Sequence, residues 1–277
     1  MVWKSGKGKS TQLHIEPENM TIQDPFLWRI SSATVASAGP FSTFEGYTRT
    51  LILLSGNKLV LFHKQTPQNE IVLEHFKPYT FSGGWDTDST FSPPATVPSI
   101  DIRKSSGKIK ASASGPLEAP TTDSPSVSTT DLFSPINLHT SHNMVPVDES
   151  TDFNIITRDS HILHTCRVHK FSSLGDRHEV RLDTMSEPIT GESLSTPVAI
   201  KRQTLVLYVF GGEVMVRHDT ADGGYQETKL MSGNSLFVQD IKSNDIGAML
   251  KLTSCSGEVH IVVVNLYELD NPQLPSQ

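Results

Sequence analysis

Residues 28–62 read WRISSATVASAGPFSTFEGYTRTLILLSGNKLVLF, and this stretch constrains the fold more than any other. Trp28, Ile30 and Ser32 alternate with Arg29 and Ser31, the period of two that marks a strand with one buried face. Ala38-Gly39-Pro40 breaks the pattern as a turn does. Thr50 to Leu54 is almost wholly apolar, Ser55-Gly56-Asn57-Lys58 forms a four-residue turn, and Leu59 to Phe62 is the returning strand of a hairpin. Arg29 and Arg49 lie in or beside these strands. If they point inward, their guanidinium groups need carboxylate or carbonyl partners.

The same grammar recurs downstream. Ile71 to Phe81 and Ile162 to Leu182 read as further strands, and Gln203 to Leu269 is a run of strands with a Gly211-Gly212 turn near its start. Helix-periodic segments are few, so the chain is expected to be all-β. From Asp88 to Glu149 the composition changes to Ser, Thr and Pro, with too little apolar surface to offset the entropy of ordering. This segment reads as a flexible surface insertion; Ser92, Ser124 and Ser134 each precede a proline and are candidate phosphorylation sites. After it, Asp152-Phe153-Asn154-Ile155-Ile156-Thr157-Arg158 alternates polar and apolar residues, and Asp152 and Arg158 share a face if the strand is regular.

Several functions are argued against. A formal charge of −7 disfavours nucleic acid as the partner. There is no run long enough for a membrane-spanning helix and no secretory pattern at the N-terminus, so the expectation is a cytoplasmic, soluble protein. Gly8-Lys9-Ser10 mimics the end of a phosphate-binding loop, but Trp3 stands where the motif needs its first glycine. His161, His164 and His169 lack the spacing of metal ligands on one strand face. Cys166 and Cys255 read as small buried residues.

WRIS-x-A, GPFS-x-F-x-G-x-x-R and the hydrophobic run that follows resemble the signature of the HutD/Ves family, as do Trp3-Lys4 and the segment Asp152-Phe153-Asn154 with Arg158. The resemblance implies a bicupin, two cupin-like β-barrels packed together: an N-terminal barrel over 1–88, the insertion over 89–149, and a C-terminal barrel over 150–277. The region from Glu213 to Val238 is similar to the second half of a cupin barrel but lacks the H-x-H of metal-dependent members. Neither metal nor cofactor is therefore expected. The resemblance further implies a pocket for a small anionic metabolite of the formylglutamate kind. Its binding residues would be Trp3, Lys4, Trp28, Arg29, Ser31, Phe41, Ser42, Arg49, Asp152, Asn154 and Arg158, serving an accessory role in histidine catabolism.

Two other readings stand beside this one. The first is a cupin isomerase or hydrolase with Asp152 or a histidine as general base. The second is an interaction scaffold acting through the insertion. Assembly, including a homodimer, is left open by the sequence.

Overall fold

A computed structural model describes residues 8–66, 70–92, 149–182, 199–219, 223–239, 241 and 248–270. Trp3, Lys4 and the insertion lie outside these residues. By contacts the chain divides into one unit of residues 1–92 and 148–277 and a second of 93–147. Among the described residues no helix is long and apolar enough to cross a membrane.

Among the described residues, seventeen strands form four sheets. The first sheet has the order β1 (Gly8–Glu16), β2 (Trp28–Val35), β9 (Ser150–Arg158), β4 (Tyr47–Gly56) and β7 (Tyr79–Ser82). The second runs β3 (Gly39–Pro40), β8 (Thr87–Phe91), β5 (Leu59–His63) and β6 (Glu70–Val72). Val35, Leu51, Leu53, Leu59, Leu61, Leu73 and Phe81 fill the space between these two sheets, which makes them the first barrel.

The second barrel repeats the plan. One sheet is β10 (Ile162–Phe171), β17 (Val259–Leu269), β12 (Ile200–Phe210) and β15 (Ser235–Val238). The other is β11 (Arg177–Arg181), β16 (Met249–Ser254), β13 (Glu213–Asp219) and β14 (Tyr225–Met231). Its interior is a cluster of aliphatic residues, among them Leu205, Leu207, Val214, Leu252, Ile261 and Val263. A third apolar layer joins the barrels: Trp28, Ile30, Ile52, Leu54, Phe153 and Ile155 from the first pack on Val206, Tyr208, Val262 and Val264 from the second. The all-β bicupin expected from the sequence is the fold observed.

The strand after the insertion is placed differently from expectation. β9 does not open the second barrel; it is the central strand of the first sheet, between β2 and β4. The second barrel therefore begins at Ile162, and the first extends through Phe91 at its other boundary. The composition of β9 explains this. Phe153 and Ile155 belong to the layer between barrels, while the alternating Asp152, Asn154 and Ile156 line the other face. Loop-closure entropy grows slowly with length, so a long excursion does not prevent the chain from returning to an earlier sheet. The return is seated at Gly56, whose φ of +89° suits glycine and whose missing Cβ leaves room for the Glu149 carbonyl.

Candidate functional site

The inner face of the first sheet is organised in rows across the strands. Register places Arg29 of β2, Ile156 of β9, Arg49 of β4 and Phe81 of β7 side by side. The next row along is Gln12, Ser31, Asn154, Leu51 and Tyr79, and the one after is Ser10, Ala33, Asp152 and Leu53. A period of two in each strand thus sets two arginines, two amides and one carboxylate on a single barrel wall.

These groups are enclosed. Arg29 is 9% exposed, Arg49 6% and Asp152 1%. Arg29 is well served: Nε donates to Gln12 Oε1 at 3.1 Å, Nη1 to Ser31 Oγ at 3.1 Å, and Nη2 to Ser10 Oγ at 3.4 Å. Arg49 donates from Nε to Asn154 Oδ1 at 3.1 Å, its hydrogen bond among the described residues. Its guanidinium carbon lies 4.5 Å from the centre of the Phe41 ring and 5.7 Å from that of Phe81. Such cation–π contacts partly replace lost hydration.

Asp152 has no such service. Its row neighbours are Ala33 and Leu53, neither of which carries a side-chain donor, and among the described residues its Oδ1 has no hydrogen-bond partner. Burial raises its carboxyl to about 7, against the opposing pull of Arg49. Burial likewise lowers Arg49 to about 10, with Asp152 raising it and Arg29 lowering it further. Arg29 is lowered by burial alone. Two guanidinium groups against one carboxylate leave the wall with a net positive charge at neutral pH.

The expected site residues therefore separate. Arg29, Ser31, Arg49, Asp152 and Asn154 share the inner wall, with Phe41 against Arg49. Trp28 lies on the opposite face of β2, stacked on His14 at 4.6 Å in the layer between barrels, because adjacent strand residues point to opposite faces. Ser42 is exposed in the loop after β3. Arg158 ends β9 and lines an open depression of about 410 Å³ with Asp24, Phe44 and Tyr47. Trp3 and Lys4 lie outside the described residues. Ser10 and Gln12 were not singled out as binding residues by sequence reasoning. The signal for them is the same period of two, running through β1 from the glycine of the loop mimic.

His63 of the first barrel and His164 of the neighbouring layer are occupied. The Thr87 hydroxyl donates to the Trp85 carbonyl at 3.2 Å, so His63 Nδ1–H donates to Thr87 Oγ1 at 2.9 Å. His63 Nε2 then accepts from the Tyr79 hydroxyl at 3.0 Å. His164 is held between Thr157 and Thr50 at 2.9 and 2.8 Å. Among the described residues no three His, Cys, Asp or Glu side chains converge as a metal site. Cys166 and Cys255 are free thiols, and burial raises Cys166 to about 12.

Comparison with known proteins points the same way as the sequence signature. The HutD family model matches residues 1–97. An uncharacterized 21.2 kDa protein in the hutC 3′ region of Pseudomonas putida is 34% identical over 83 residues, which are 30% of this chain and 42% of that protein. Protein Ves of Escherichia fergusonii is 32% identical over 82 residues, 30% of this chain and 40% of its own length. The chain thus spans less than half the length of these curated relatives. A conserved protein of unknown function from Pseudomonas aeruginosa PAO1 has the same fold, with a TM-score of 0.58 at 16% identity, covering 96% of this chain and 92% of the other.

Proposed function

The chain belongs to the HutD/Ves family, and on that premise we propose that its first barrel holds a small anionic metabolite, of the size and charge of formylglutamate, in an accessory role in amino-acid catabolism. The observation that carries this reading is the pair of buried guanidinium groups, Arg29 and Arg49, on one wall with a single carboxylate. Burying uncompensated cations is costly unless an anion completes the site. A carboxylate against Arg49 would take up the donors that Asn154 leaves free. In this reading side-chain cations supply the charge, while His63 and His164 have both ring nitrogens engaged within the protein.

The test is thermal denaturation of the purified protein with formate, glutarate, glutamate, formylglutamate and urocanate. A ligand selective for the native state raises the melting temperature. The expected result is a rise with a carboxylate compound that is lost in Arg49→Met; no rise with any of them overturns the reading.

Asp152 favours a second reading. A buried carboxyl raised to about 7 is poised to exchange a proton at neutral pH, as a general base does. Turnover of a bound carboxylate compound, abolished in Asp152→Asn, would establish it; binding without turnover leaves the receptor.

A further inference from the structure

β14 is the outer strand of its sheet: it pairs with β13 on one side and, among the described residues, with no strand on the other. An edge of seven residues with neither a proline nor a bulge is a template for another strand. The surrounding bonds fix the phase of its backbone. Ser232 N–H donates to the Gly212 carbonyl at 2.8 Å, one step beyond the pair of Glu213 and Met231. On the far side of β13, Cys255 N–H donates to the Glu213 carbonyl at 2.9 Å. Met231 turns away from β13: its N–H donates to Asn234 Oδ1 at 3.0 Å and its carbonyl accepts from Asn234 N–H at 2.8 Å. Antiparallel bonds fall on every second pair, so Gln226, Thr228 and Leu230 bond to β13. The N–H and carbonyl groups of Tyr225, Glu227 and Lys229 face the open edge.

The side chains of these same residues share the outer face, because Leu230 points into the barrel core. Tyr225 is 56% exposed and Met231 53%, and they end that face with Glu227 and Lys229 between them. The order of aromatic, acid, base and thioether is complementary to its own reverse. Laid antiparallel about Thr228, two copies set Tyr225 on Met231 and Glu227 on Lys229, twice over. Moving the axis by one residue sets Glu227 on Glu227 or Lys229 on Lys229, and like charges directly opposite are destabilising. An edge lysine ordinarily keeps strands apart; in this register a glutamate meets it.

We propose that β14 pairs with β14 of a second copy of this chain, antiparallel about a two-fold axis at Thr228, joining two four-stranded sheets into one. Glu227 and Lys229 exchange backbone hydrogen bonds across the axis, and the symmetry repeats every side-chain contact. The exposed apolar ends of the strand are covered in the same step.

Sedimentation equilibrium of the purified chain across the micromolar range tests it, with Glu227→Lys, Lys229→Glu and the two combined. The native chain is expected to show a monomer–dimer equilibrium. Either single reversal sets like charges across the axis and weakens the dimer at least about tenfold, and the combined exchange restores it to within about threefold. A native chain that stays monomeric throughout overturns the proposal. So does a dimer that neither reversal weakens, or one that the combined exchange leaves as weak as the singles.

Cysteine substitution tests the register. Thr228 would meet its own counterpart at the narrow spacing of about 4.5 Å between Cα atoms, which a disulfide spans. Gln226 would stand about 13–14 Å from its counterpart, beyond that reach. Under oxidised glutathione Thr228→Cys is expected to give a linked dimer, whereas Gln226→Cys and the native chain with its own two thiols stay unlinked. No link through Thr228→Cys, or an equal one through Gln226→Cys, overturns the two-fold register.

Discussion

His164 of the second barrel and Thr157 of the first are joined by a 2.9 Å hydrogen bond across the layer between the barrels. Thr157 donates its own hydroxyl toward the Thr48 carbonyl, so His164 Nδ1–H is the donor to Thr157 and Nε2 accepts from Thr50. Both ring nitrogens are thus engaged in the neutral imidazole. Burial accordingly lowers the imidazole to about 4. The unfolded chain takes up a proton below its ordinary value near 6.5, whereas the folded protein does so only near 4. This contribution to stability is therefore present above pH 6.5 and is lost as pH falls to 4, to the extent of about 2–3 kcal/mol. Urea denaturation of His164→Asn between pH 7 and 4.5 should lack this loss.

Asp152 works in the opposite sense. Its folded value is raised to about 7, so the folded protein keeps a proton that the unfolded chain has released by about pH 4. Stability falls as pH rises from 4 to 7, and the cost remains above 7. Asp152→Asn should therefore raise stability at pH 8 by about 1–3 kcal/mol, less than the full shift implies because Arg49 loses a compensating charge. At pH 5 the gain should vanish. A melting temperature that rises equally at both values would show that the carboxyl is not buried as described.

Arg49 separates stability from binding. Among the described residues its buried guanidinium group has one hydrogen bond and two aromatic faces. An apolar side chain of similar reach removes the desolvation cost of the guanidinium, and Asp152 can take up a proton once the opposing charge is gone. Arg49→Met is expected to change unfolding free energy by less than about 1 kcal/mol, the lost bond to Asn154 offsetting the relief of desolvation. Its affinity for carboxylate compounds should fall at least about tenfold. A variant that instead fails to fold would assign Arg49 to the scaffold.

Much of this was legible in the sequence, and the limits have physical causes. The hairpin at Ser55–Lys58 and the alternation around Arg29 declared strands because turn chemistry and a period of two are local signals. What the period could not say is which face of β2 turns inward. Trp28 and Arg29 are adjacent, and a bulky aromatic beside an arginine suits either a pocket wall or a layer between barrels. The position of β9 was hidden for a different reason. Strand order follows from pairing across long separations, and nothing local in Ser150–Arg158 names β2 and β4 as its neighbours. The orphan oxygen of Asp152 depends in turn on that register, since it is Ala33 and Leu53 that leave it unserved.

Trp28 provides the test of that face assignment. Its ring is 2% exposed, stacked with His14 and beside Phe237 of the second barrel, at centroid distances of 4.6 and 6.3 Å. Truncating a buried aromatic removes both transfer free energy and packing, so Trp28→Ala should cost about 3–5 kcal/mol. The damage falls on the layer between barrels and not on the wall that carries Arg29 and Arg49. Carboxylate affinity, measured at a temperature where the variant remains folded, should stay within about threefold of the native protein. Loss of affinity comparable to that of Arg49→Met, without loss of stability, would instead place Trp28 against the ligand and reverse the face of β2.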